Sequence, residues 1–113
     1  DMTEAEVKTV LEDAASELTR GLQEQLLSQV VDAARSGGKG SLGIQATKEA
    51  LREGRVDALL VSRGLRQREG DLVDHFVGTA FEQGAMVEEL SEVGAARLEE
   101  EGEGVGARLR YTT

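Results

Sequence analysis

Val7, Leu11, Ala14, Leu18, Leu22, Leu26, Val30 and Ala33 recur at intervals of three and four residues. That is a single helical stripe over about thirty residues, or about 45 Å if unbroken. Thr3-Glu4-Ala5-Glu6 opens it as a capping box, each side chain within reach of the other's backbone N–H. The stripe is narrow as far as Gly21, then widens as Leu27, Val31 and Ala34 join it. A narrow stripe suits a projecting or coiled-coil helix, and a wide one suits a helix laid on a sheet. The pattern therefore divides the chain into residues 1–21, a connecting helix from an upstream domain, and residues 22–113, the packed domain. Residues 22–36 form the first packed helix, and Gly37-Gly38 ends it.

Beyond it, Lys39 to Leu42 reads as a short strand. Ile44, Thr47, Ala50 and Leu51 mark a short helix stopped by Gly54. Val56 to Val61 is apolar apart from Asp57, which predicts a buried central strand. Arg63-Gly64 reads as a turn. Leu72, Val73, Phe76, Val77, Ala80 and Phe81 form two adjacent apolar rows of a helix over 71–83, capped by Gly84. Met86 to Leu90 predicts a strand, and 94–101 a short helix or ordered loop. Val105, Ala107, Leu109 and Tyr111 alternate with Gly106, Arg108 and Arg110, the pattern of a half-buried strand. Helices alternating with strands predict a three-layer α/β/α sandwich, with a mixed sheet of about four strands preceded by a long helix.

Composition narrows the function. The 113 residues hold one core, 39% hydrophobic but only 3% aromatic, with no cysteine. Thiol chemistry and Cys-ligated zinc are excluded, and the absence of disulfides fits a reducing cytoplasm. No apolar run approaches the roughly 20 residues that span a bilayer. The chain opens at Asp1 without a Met or signal peptide, as expected of a piece of a longer protein. A net charge of −9 opposes general affinity for phosphate backbones. Arg52, Arg55, Arg63, Arg66 and Arg68 crowd one stretch, and glutamates from Glu82 to Glu103 crowd another. This predicts a polarised surface, either partner-facing or simply two solvated faces.

Candidate catalytic groups are few. His75 falls nearly opposite the apolar rows of its helix and is expected to face solvent beside Asp74. Ser41 and Ser62 have no histidine at a motif spacing. Glu99-Glu100-Glu101 near glycine reads as a solvated run. Gly38 to Gly43, GKGSLG, spells G-x-G-x-x-G, but a helix precedes it where a dinucleotide fingerprint needs a strand. Gly40 stands where a Walker motif needs Ser or Thr. No cofactor, metal or small-molecule substrate is implied.

Two segments carry a resemblance. Gly43-Ile44-Gln45-Ala46-Thr47-Lys48-Glu49-Ala50-Leu51-Arg52-Glu53-Gly54-Arg55-Val56-Asp57-Ala58-Leu59-Leu60-Val61 resembles G-x-x-x-T-x-x-A-L-x-x-G-x-V-x-x-L-L-V. That pattern occurs in the C-terminal domain of archaeo-eukaryotic peptide chain release factor subunit 1 and of Pelota. Gly104-Val105-Gly106-Ala107-Arg108-Leu109-Arg110-Tyr111 is similar to the G-I-G-A-x-L-R-Y ending of the same domain. The match covers about residues 22–111 in order, and the chain looks like a bacterial or archaeal relative. Two features depart from it: the acidic Glu99–Glu103 approach, and Arg108 where an apolar residue is usual.

The resemblance implies a non-enzymatic docking domain of a translation termination or ribosome-rescue factor. Its partner would be a translational GTPase or the ribosome, with Arg52, Arg55, Arg63, Arg66 and Arg68 as candidate contacts. In the family, peptidyl-tRNA hydrolysis belongs to another domain with a Gly-Gly-Gln loop, absent from this chain. The fold is also similar to that of kink-turn-binding ribosomal proteins. This implies an alternative, structured-RNA binding at Lys39, Gln45 and Lys48, although the Asn-Glu pair of those proteins is replaced by Ile44-Gln45.

Overall fold

A computed structural model of the chain describes residues 4–111, with side chains from residue 18 onward. The Thr3–Glu6 capping box and the side chains of Val7, Leu11 and Ala14 lie outside the described residues. The elements run α1 (Glu4–Arg35), β1 (Gly40–Leu42), α2 (Ile44–Arg52), β2 (Val56–Ser62), α3 (Arg63–Arg68), α4 (Gly70–Glu82), β3 (Met86–Leu90), α5 (Glu92–Gly102) and β4 (Val105–Leu109). Among the described residues no helix is long and apolar enough to cross a membrane.

The sheet order is β1-β4-β2-β3. β4 runs antiparallel to both β1 and β2, whereas β2 and β3 are parallel, so the sheet is mixed as expected. α1 and α5 cover one face, burying Leu27, Val30 and Val31 against Ala58, Leu60, Leu90 and Leu98. α2 and α4 cover the other, burying Leu51, Phe76 and Ala80 against Leu59, Val61 and Ala107. β2 is apolar from Ala58 to Val61 because both its faces are covered there. Its register shifts between Val56 and Ala58, which turns Val56 to the same face as Leu59 and Val61.

Helix ends follow the glycines. After α1, α2 and α4, the N–H groups of Gly37, Gly54 and Gly84 bond Ala34, Leu51 and Phe81 carbonyls, and the next residue's N–H reaches the carbonyl one residue further back. These are three Schellman ends. α1 is unbroken across Gly21, with Leu18 67% and Leu22 58% exposed. Burial begins at Leu26 and Leu27, so packing starts within the helix and not at its glycine.

Three expectations fail for identifiable reasons. The Arg63-Gly64 turn is instead the start of α3, whose Ser62 N-cap oxygen accepts the Leu65 N–H at 3.0 Å. β4 is not half-buried: it lies between two strands under α1, and Val105, Gly106, Ala107 and Leu109 are all buried. Tyr111, expected to extend it, lies beyond its end and is half-exposed. Phe81, read as part of an inward row, is 66% exposed because α4 buries only the narrower row of Val73, Phe76 and Ala80.

Of the G-x-G-x-x-G glycines, Gly38 closes the end of α1, Gly43 takes φ 99 before α2, and Gly40 serves packing. A Cβ on Gly40 would lie 2.6 Å from the Val30 carbonyl oxygen and 2.8 Å from the Ala34 nitrogen, both backbone atoms of α1. Gly106 of β4 meets Leu42, Ser41 and Val30 at 3.1–3.3 Å in the same way. Gly40→Ala is therefore expected to destabilise the domain by about 1–3 kcal/mol, because a helix backbone has to move. Gly21→Ala, which meets nothing within 4 Å in an exposed helix interior, should stabilise by about 1 kcal/mol. Urea unfolding of both variants measures the contrast, and equal effects would contradict this packing.

Candidate functional site

The five arginines do not meet in space. Arg52 and Arg55 flank the start of β2, whereas Arg63, Arg66 and Arg68 belong to α3 at its other end. A strand of seven residues puts about 23 Å between the two groups. The polarised surface is also not realised, because the two charge-rich stretches interleave. Arg66 reaches Asp74 at 3.4 Å and Glu89 at 3.2 Å, and Arg68 reaches Glu99 at 2.8 Å. Glu53 lies 3.3 Å from Arg55. Arg52 and Arg63 have no carboxylate within salt-bridge distance among the described residues.

The acidic approach to β4 is helical as far as Gly102, and three of its four glutamates are engaged. Glu99 accepts hydrogen bonds from Ser62 and Arg68, Glu101 pairs with Arg35, and Glu103 accepts the Ile44 N–H at 3.2 Å. Glu103 holds φ 59 to do this, a left-handed conformation uncommon for a side-chain-bearing residue. Its carboxylate thus sits at the N-terminus of α2, where an external anion would otherwise be favoured. Arg108, unusual for the resembled pattern, is matched by Asp57 on the neighbouring strand at 2.8 Å.

Of Lys39, Gln45 and Lys48, the last two stand one turn apart on α2 and Lys39 is set apart from them. Lys39 precedes β1 and Gln45 follows it, with the length of that strand between them. Lys48 lines a cleft against α4, and Gln45 donates to Glu49. His75 is exposed, as expected, beside exposed Asp74. The two serines are taken up structurally. Buried Ser41 shares a hydrogen bond with buried Thr47 at 3.3 Å. Buried Ser62 donates to Glu99 Oε1 at 2.7 Å while capping α3. Among the described residues no group of three or more His, Asp or Glu is placed to hold a metal.

The tightest polar constellation is therefore Ser62–Glu99–Arg68, which joins β2, α5 and α3. Glu99 lies against Gly64 and Gly104, where a Cβ would come within 2.5 and 3.3 Å of its Oε1. The Arg68 guanidinium, and after it the Ser62 hydroxyl, hold the Glu99 carboxyl below its ordinary value of 4.5. A carboxylate whose proton affinity is lowered in this way is a weak base for Ser62, whose oxygen is also committed to capping α3, so the arrangement serves to fasten β2, α3 and α5 together. Sequence reading missed it because its three residues are 37 and 31 positions apart in pairs. The one local signal was Ser62 three residues before buried Leu65, a helix start hidden by Gly64.

A depressed carboxyl stabilises above its unfolded-state value, and that contribution is lost as pH falls through the folded-state value. The stability difference between the parent and Glu99→Gln should therefore be constant above pH 4.5 and shrink at lower pH. Partial solvent exposure keeps it small. Ser62→Ala should cost about 1–2 kcal/mol, since it removes a helix cap and strands the Leu65 N–H. Urea unfolding at stepped pH measures both. A pH-independent difference for Glu99→Gln would contradict the assignment.

No protein-family model matches the chain, and no curated protein matches it. Solved structures do. Pelota of Archaeoglobus fulgidus superposes with a TM-score of 0.85 at 19% identity, covering 99% of this chain and 38% of Pelota. Ribosome-bound archaeal Pelota, described with ABCE1, gives 0.78 at 22% identity, covering 100% of this chain and 34% of that one. The C-terminal domain of a peptide chain release factor from Methanosarcina mazei gives 0.76 at 20% identity, covering 99% and 98%. The chain spans little more than a third of Pelota but nearly all of that release-factor domain. Together with the four-stranded mixed sheet, these matches show that the chain has the fold of the C-terminal domain of Pelota and of the archaeal peptide chain release factor.

Proposed function

We propose that the chain is a non-enzymatic docking domain of a cytoplasmic translation termination or ribosome-rescue factor-like protein. It binds a translational GTPase or the ribosome. The observation that carries this reading is the full-length superposition, α1 included, on a release-factor domain and on ribosome-bound Pelota. The local chemistry agrees with it. The serines, the acidic run and most arginines are engaged in holding the fold, which leaves surfaces for recognition and no assembled reaction centre among the described residues.

In this reading residues 1–21 form a connecting helix, and the arginines act at two separate ends of β2. Arg63 leads one group, with Arg66 and Arg68 behind it, and Arg52 leads the other beside Arg55. Arg63 and Arg52 are the members free to accept a partner's carboxylate. Glu103 at the α2 N-terminus favours this reading over structured-RNA contact at Lys39, Gln45 and Lys48.

Capture on the tagged chain of ribosomes and translational GTPases from its own organism tests the proposal. At least one should be retained, and Arg63→Glu should weaken retention about fivefold, equivalent to roughly 1 kcal/mol. Recovery of neither would overturn the proposal.

A further inference from the structure

Four surface grooves differ in how their charges are balanced. One beside α5 sets Arg20 against Glu24 and Glu92, and one under α1 sets Arg108 against Glu88. A third, beside β1, sets Arg35 and Arg55 against Glu49. The cleft between α2 and α4, about 170 Å³, has Lys48, Arg52 and His75 on its walls and no carboxylate at all. Its floor is apolar, made of buried Leu51 and Phe76. Thr79 completes the rim, its hydroxyl already donated to the His75 carbonyl at 2.9 Å.

This is unexpected for a chain with 22 acids and 13 bases. Six arginines, Arg20, Arg35, Arg55, Arg66, Arg68 and Arg108, each have a carboxylate within 4.0 Å. Lys48 and Arg52 have none among the described residues, although they stand one turn apart on the same side of α2. Two unpaired cations over an apolar floor lack two things: a pair of carboxylates and an apolar side chain between them. We propose that the α2–α4 cleft binds an acidic peptide segment of a protein partner. The segment seats one aliphatic or aromatic side chain on Leu51 and Phe76, and its flanking carboxylates engage Lys48 and Arg52.

The chemistry selects this occupant over a bare anion or a nucleic acid. A phosphate would use the cations but leave the cleft's predominantly apolar lining against water, whereas an apolar anchor removes that lining from water. Arg52 presents a planar fork suited to a bidentate carboxylate. The charge of −9 on the whole chain disfavours a long polyanion, while a short segment senses mainly the charges within about 10 Å. The inference rests on the docking reading above and adds to it a surface and a partner chemistry. It is independent of the α3 arginines, because α3 starts at the far end of β2.

The test is an amide NMR titration of the ¹⁵N-labelled chain with a blocked short peptide of glutamates around one central phenylalanine. Shifts should concentrate on α2 from Thr47 to Arg52 and on α4 from Leu72 to Thr79. Replacing the phenylalanine by alanine, or the glutamates by lysines, should weaken binding about tenfold or more. The double variant Lys48→Glu/Arg52→Glu should do the same. Both positions are exposed, so the variant should keep the parent's unfolding midpoint. Shifts centred elsewhere would overturn the proposal, as would binding indifferent to the double variant. Equal binding of inorganic phosphate would reduce the cleft to an anion site, and tighter binding of a hairpin RNA would assign it to nucleic acid; either result overturns the proposal. If the double variant still captures the ribosome or GTPase as well as the parent does, the cleft assignment fails while the docking reading stands. If the parent captures neither, the docking reading fails and the titration alone decides the cleft.

Discussion

The fold depends on how closely α1 approaches the sheet. A helix and a strand with side chains at every position cannot bring their backbones as near as α1 and β1 do here. Gly40 removes the side chain that would strike the α1 backbone, and Gly106 does the same for β4 beneath Val30. Ala33 and Ala34 keep the helix side of the contact thin. Once α1 is seated, Leu27, Val30 and Val31 reach Ala58 and Leu60 across the sheet, and one of the two cores closes. The second core, under α2 and α4, then rests on the opposite faces of the same strands.

The polar contacts reinforce this arrangement from the far end of the chain. α5 and its C-cap residue carry three glutamates that tie it to other elements: Glu99 to β2 and α3, Glu101 to α1, and the cap residue Glu103 to the start of α2. Each exposed pair contributes little alone. Their value is geometric, since one short helix and its C-terminal cap are held against three other helices and a strand. The same engagement takes Arg35 and Arg68 out of the set of unpaired cations.

Periodicity made most of the fold legible. The runs of α1, α2, α4 and β2 each bury one dominant pattern, and the glycines at 37, 54 and 84 fix where helices stop. α3 was illegible because six residues make too short a window for periodicity and Gly64 sits inside it. β4 was misread because alternation of Gly and Arg with apolar residues looks the same whether the glycine meets water or the underside of a helix. The spatial fate of the arginines was illegible for another reason. Neighbours in sequence at the two ends of a strand are distant in space, and their acidic partners come from segments up to 31 positions away. The α2–α4 cleft likewise needs Lys48 and His75 from separate helices, a juxtaposition no local pattern encodes.

The position of the final strand has a consequence for the order of events during synthesis. Among the described elements of the domain β4 comes last in the chain, yet it lies in the interior of the sheet, between β1 and β2. Until residues 105–109 emerge, β1 has no neighbour to pair with, and β2 and β3 can form only a two-stranded parallel ribbon. Such a ribbon is marginal in water, and its long-range closure is slow. The four-stranded sheet of the nascent domain therefore cannot close until residues 105–109 emerge, and until then the apolar faces of α1 and α4 have no complete sheet to pack on.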